Sequence, residues 1–120
     1  MTERQWKTKI KRYCEAAGTY RPYFIPVIDT LAEILSRRDD ALKKYQDSGA
    51  SPLVRHTNKA GATNLEQNPL LRVINDLNRD ALAYWRDLGL TPAGLRKINE
   101  AAMKKVKKNA LAEVLNALEG

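Results

Sequence analysis

Two residue types that build catalytic centres occur once each in this 120-residue chain, His56 and Cys14. A metal site needs several such ligands, and a cysteine nucleophile needs a placed histidine base, so one of each assembles neither with any specificity. The nearest thing to a carboxylate pair is Asp39-Asp40. Adjacent positions on a helix point ~100° apart, so these two do not converge on a substrate or an ion. The chain has no Gly-rich phosphate loop, no HExxH and no Gly-x-Ser-x-Gly elbow. Its fourteen acidic residues are mostly scattered among basic ones. The expectation is a non-enzyme that needs neither cofactor nor metal.

What remains for chemistry is phosphate neutralisation. The formal charge is +7 and the isoelectric point about 9.7, a value at which a basic patch is a plausible nucleic-acid footprint. Residues 1–20 carry five basic and two acidic groups (+3), residues 21–90 ten and nine (+1), and residues 91–120 six and three (+3). The excess therefore sits at the two ends. Helical spacing gathers Lys97, Lys104 and Lys108 on one face with Lys105 and Lys107 flanking them, and Arg4, Lys7 and Lys11 on a second, shorter helix. Both sets are candidate duplex-DNA contacts, and both have a plainer reading as solvated helix faces.

The elements that must position these groups read as all-α, about four helices in one domain spanning residues 1–120. Trp6, Ile10, Tyr13 and Ala17 stack on one face of a helix over about 3–17, which Gly18 stops. A second helix over about 22–48 carries Phe24, Val27, Ile28, Leu31, Ile34 and Leu35, with Pro22 and Pro26 near its first turn. Arg38 interrupts that stripe. Either its stem lies along the core edge and its head snorkels to water, or it forms an ion pair across a subunit contact. Residues 49–67 show neither helical nor strand period and read as a long loop. Asn68-Pro69 opens a third helix that runs to Leu88, with a wide stripe that includes Leu70, Val73, Ile74, Leu77, Tyr84 and Trp85. The fourth segment, about 92–118, places Leu95, Ile98, Ala102 and Val106 on one face. Its later apolar residues Leu111, Val114, Leu115 and Leu118 are displaced by more than a quarter turn. The helix is therefore expected to break near Lys107–Asn109 or to pass from one packing partner to another.

No run approaches the ~18 apolar residues of a membrane span, and the charged MTERQWKTKIKRYC start lacks an apolar export core. No membrane partner is expected. A single cysteine excludes an internal disulfide and suits a reducing cytoplasm.

Residues 85–98, WRDLGLTPAGLRKI, stop one helix and start another within four positions: Gly89 to close, Thr91 to cap, Pro92 to lead. Together with Gly18-Thr19-Tyr20-Arg21-Pro22 before a long helix and NPLL at 68–71, this LGLTPAGLRKI joint resembles the small subunits of phage terminases, over roughly residues 15–100. The chain departs from that pattern after Thr91-Pro92, where Gly94 and a Lys-rich tail replace a more Arg-rich segment. The resemblance implies a non-catalytic packaging component in the cytoplasm of the infected bacterial host. It would be a helical homo-oligomer, a ring, that binds viral double-stranded DNA and delivers it to the large terminase subunit with its ATPase and nuclease. Surplus apolar surface fits such assembly, and we assign Trp85, Tyr84, Leu88, Arg38, Leu111 and Leu115 to the oligomer interface. A helix-turn-helix regulator is the alternative, with the Leu-Gly-Leu-Thr-Pro joint as its turn. A helical adaptor whose lysines only solvate is a third.

Overall fold

The computed structural model of the chain describes residues 1–119. Helix α1, Glu3–Ala17, begins at Thr2, whose hydroxyl accepts from the Gln5 N–H while the Gln5 side chain accepts from the Thr2 N–H. This reciprocal cap satisfies two of the helix's orphan donors. Gly18 ends it in the left-handed conformation, φ 73°. A single 3₁₀ turn, Pro22–Phe24, feeds α2, Ile25–Asp47. Lys7 reaches Asp29 and Met1 reaches Asp39, so α1 runs antiparallel to α2. Helix α3, Pro69–Asp87, also packs along α2. Ile10 and Cys14 of α1 meet Ile28, Leu31, Ala32 and Leu35 of α2, and Ala81 and Leu88 close the cluster from α3 and its C-cap. Leu31 and Leu35 are fully buried, each worth about 1.5–3 kcal/mol relative to exposure.

The all-α expectation and the long loop at 49–67 are corrected here. Between α2 and α3 the chain forms an antiparallel hairpin, β1 Leu53–Thr57 and β2 Thr63–Gln67, with Arg55 opposite Leu65 and His56 opposite Asn64. Only Val54 among the ten strand residues is partly covered. With no buried face there is no apolar alternation to read, which is why the strands are silent in sequence. The turn is set by Asn58, whose side-chain oxygen accepts from the Ala60 and Ala62 N–H groups at 3.0 Å each, and by Gly61 at φ 85°. The base is pinned by Asn68. Its N–H donates to the Pro52 carbonyl at 2.8 Å and its side-chain amide to Ser51 at 3.1 Å, while its Oδ1 caps α3 at Leu70. One buried side chain thus anchors the hairpin and starts the helix.

Helix α4, Pro92–Glu119, is continuous. The break expected near Lys107–Asn109 does not occur. The segment after Leu95 contains no glycine or proline before Glu119 and is rich in Ala, Lys and Leu, so propensity carries the helix through the change of apolar face. From Asn99 to Leu118 every side chain is exposed. At 1.5 Å per residue the helix is about 42 Å long, and it makes the molecule an elongated body of 86 × 28 × 21 Å. The radius of gyration, 22.5 Å, compares with about 14 Å for a compact chain of this length.

Candidate nucleic-acid interface

The α3–α4 joint decides where the C-terminal lysines point. Gly89 sits at φ 73°, and a Cβ there would lie 2.7 Å from Ile98 Cδ1 and 2.8 Å from Thr19 Cγ2. Gly94 is tighter still. A Cβ on it would stand 2.2 Å from the Arg86 carbonyl oxygen, because the first turn of α4 rests on the last turn of α3. The Thr91 hydroxyl accepts from the Gly94 N–H at 3.0 Å and caps the new helix. In this arrangement Gly94 is buried and Leu95 half-buried. The Gly94 side of this turn is folded onto α3, while Pro92, Ala93, Arg96 and Lys97 stay exposed.

Beyond that turn Lys97, Lys104 and Lys108 fall within about 40° of one another around α4, and Lys105 and Lys107 flank them. All five are exposed, and none forms an ion pair among the described residues. The N-terminal trio is different. Lys7 lies 3.5 Å from Glu3 and 3.7 Å from Asp29, and Lys11 lies 3.9 Å from Glu15 and over the Tyr20 ring. Only Arg4 of the three has no carboxylate partner among the described residues, so most of that patch is already compensated.

The residues assigned to assembly also separate. Leu111 and Leu115 are 60% and 51% exposed, on the helix that leaves the bundle. Leu88 is 1% exposed and belongs to the subunit's own core. Tyr84 and Trp85 are half-buried against that core. The Trp85 ring centre is 6.3 Å from that of Tyr13, and the two rings, with Leu90 and Thr91, line a shallow pocket of about 360 Å³. We expect Trp85→Ala to cost about 2–3 kcal/mol, below the range for a fully buried tryptophan because one edge is open. Unchanged thermal unfolding in that variant would make Trp85 a rim residue only.

Arg38 is engaged inside the subunit. Its guanidinium stands over the Trp6 ring at 5.6 Å and donates to Asp39 at 3.1 Å and Asn78 at 3.4 Å. Asp39 also accepts from Trp6 Nε1–H at 2.8 Å and from the Met1 ammonium at 3.0 Å. Partial burial alone would raise the Asp39 carboxyl, but the donors Trp6, the Met1 ammonium and Arg38 outweigh it and hold it below the usual carboxylate range. A depressed folded-state value means that the charged form favours the fold. Its contribution is complete above the unfolded-state value and is lost as pH falls through the folded one. Asp39→Ala should therefore cost about 2 kcal/mol at neutral pH and progressively less as pH falls through the folded-state value. Denaturant melts in a series from pH 7 into acid check this, and a pH-independent difference would refute it.

The reading by sequence missed a third basic region, at the end of the bundle away from α4. Lys43, Lys44, Arg55, Lys59 and Arg72 lie there on α2, the hairpin and α3, all exposed and without ion pairs among the described residues. Its one sequence signal is that no acidic residue occurs between Asp47 and Glu66.

Among the described residues no group of three or more His, Cys, Asp or Glu is placed to hold a metal ion, and no helix is long and apolar enough to cross a membrane. Burial pushes the Cys14 thiol up, which leaves it an inert core side chain. No curated protein and no solved structure matches the chain significantly. Residues 3–105 match the family described as phage terminase, small subunit. That match takes in the three packed helices, the hairpin, the tight joint and the first lysines of α4, and the chain belongs to the phage terminase small subunit family.

Proposed function

We propose that the protein is the non-catalytic DNA-packaging subunit of a phage terminase. It assembles into a ring in the cytoplasm of the infected host, binds viral double-stranded DNA and presents it to the large subunit, which supplies ATPase and nuclease. The observation that carries this reading is the outer part of α4. Val106, Leu111, Val114, Leu115 and Leu118 are each more than half exposed on a helix that stands clear of its own bundle. Four of them, Leu111, Val114, Leu115 and Leu118, share one side of the helix, and an exposed apolar stripe of this kind marks an interaction site. The same helix carries the lysine row. Its first apolar face begins against the subunit's own α3, and its second faces elsewhere. A helix that leans on its own subunit at one end and on another copy at the other makes a head-to-tail contact, and such contacts generate a ring when the rotation between subunits closes.

Assembly would also multiply weak phosphate contacts. Each subunit offers a few exposed lysines, and a ring presents many copies of them to one duplex at high effective concentration. Phosphate contacts position a protein without reading bases, so this surface binds any duplex. Light scattering together with a duplex-DNA shift assay tests the reading. The expected result is a mass several times the 13.6 kDa subunit and salt-sensitive retention of DNA. A monomer at micromolar concentration that retains no duplex would overturn it.

A further inference from the structure

We propose that the β1–β2 hairpin is the element that reads duplex DNA, entering the major groove with its outward face toward the base edges. This rests on the DNA-binding role proposed above and names the site that discriminates sequence, which the α4 lysines cannot do.

Alternation divides the hairpin into two faces. Val54, His56, Asn64 and Glu66 share one, and Val54 is partly covered by the bundle, so this face turns inward at its base. Leu53, Arg55, Thr57, Thr63, Leu65 and Gln67 share the other, which looks away from the bundle and carries no carboxylate. Two strands lie about 4.8 Å apart, and a two-stranded ribbon fits the major groove, about 12 Å wide. The tip is the turn Lys59-Ala60-Gly61, which places one lysine at its apex, and the two hydrogen bonds to Asn58 hold its shape before any contact is made. Lys43 and Lys44 near the end of α2 and Arg72 in the first turn of α3, the elements that flank the hairpin in the chain, are exposed and can supply phosphate contacts.

The composition of the outward face matches what that groove displays. Arg55 can donate two parallel hydrogen bonds to guanine O6 and N7, and Gln67 has the donor–acceptor pair that suits adenine. Leu53 and Leu65, 50% and 65% exposed, have no partner in the subunit and suit the methyl groups of thymine. The eighteen residues from Ser48 to Leu65 contain no acid that would repel phosphate. This one-sided charge is the complement of a polyanion, and it favours nucleic acid as the occupant.

The test uses the full chain and a pool of short duplexes with randomised centres. The wild-type protein should enrich a guanine-containing site, and methylation of guanine N7 in that site should block binding. Arg55→Ala should flatten the preference at one position, by roughly 5- to 150-fold. Lys59→Ala should weaken all duplexes alike and lower the salt slope by about 0.9. Both side chains are exposed, so both variants should melt as the wild type does. Wild-type protein that retains no duplex would overturn both this inference and the packaging role. Duplex binding that is unaltered in affinity, slope and preference by both variants, or that selects no sequence, would overturn the hairpin assignment alone. So would variants whose assembly mass changes while their DNA affinity does not.

Discussion

Alanine at position 94 will loosen α4 from α3 and lower the stability of the protein. The expected sign is opposite to the ordinary one. In an unobstructed helix, glycine to alanine gains about 1 kcal/mol from propensity. Here the added carbon would stand 2.2 Å from the Arg86 carbonyl oxygen and 2.9 Å from its carbon, both backbone atoms that cannot swing aside. Overpacking of this kind costs about 1–3 kcal/mol, and relief requires α4 to lift off and give up its packing through Leu95 and Ile98. We expect a net loss of about 1 kcal/mol once the propensity gain is subtracted, with a change in assembly mass because the angle of α4 is no longer fixed. Gly89→Val strikes the same joint by a second route, since it joins an unfavourable left-handed backbone to a clash with Ile98 and Thr19. Thermal unfolding and light scattering on both variants decide the matter. A Gly94→Ala protein that melts higher than wild type and assembles normally would show that the helices do not approach as described.

Reversing the charge of Lys104, Lys105, Lys107 and Lys108 will abolish duplex binding at physiological salt. Without these four ammonium groups on the phosphates the salt slope should fall by about 3.6, at about 0.9 each, and all sequences should bind more weakly alike. The same treatment of Arg4, Lys7 and Lys11 should do much less, because Lys7 and Lys11 already have carboxylate partners within 4 Å. Lysine-to-glutamine variants at the same four positions separate lost attraction from added repulsion, and the oligomer mass, measured alongside, separates lost phosphate contacts from lost assembly, since Leu111 and Leu115 continue the same side of the helix. Binding with wild-type affinity and slope would make the α4 lysines a solvated face, whatever the hairpin does.

The parts of this fold that were legible in the sequence are those set by local stereochemistry. Gly18 and Gly89 both close helices at φ 73°, Asn68 caps α3 and Thr91 caps α4, all from residue type and position. The bounds 3–17 for α1 follow from its stripe and its cap. The hairpin was not legible, because a ribbon exposed on both faces has no burial pattern for alternation to report. The second role of Asn68, as anchor of Ser51 and Pro52, depends on a contact across the hairpin. Gly94 read as a departure from a family pattern, and its reason is a close approach visible only once α3 and α4 are placed. Arg38 raised two possibilities by its position, and within the subunit its head meets the carboxylate beside it in sequence together with Trp6 and Asn78. The lysine row was legible as a row. What it touches depends on other molecules.

The exposed run from Asn99 to Leu118 also bears on the kinetics of assembly. A helix held to its subunit only through its first turns has little tertiary support beyond them, and in proteins most helical stability comes from tertiary packing. In the free subunit its outer amides should exchange with solvent far faster than those of α2, at rates set by local fraying, and not by global unfolding. Docking on another copy would then be a coil-to-helix transition as much as a collision. Its entropy cost falls on the association step, so far-ultraviolet helicity should rise with protein concentration and fall on warming before the bundle melts.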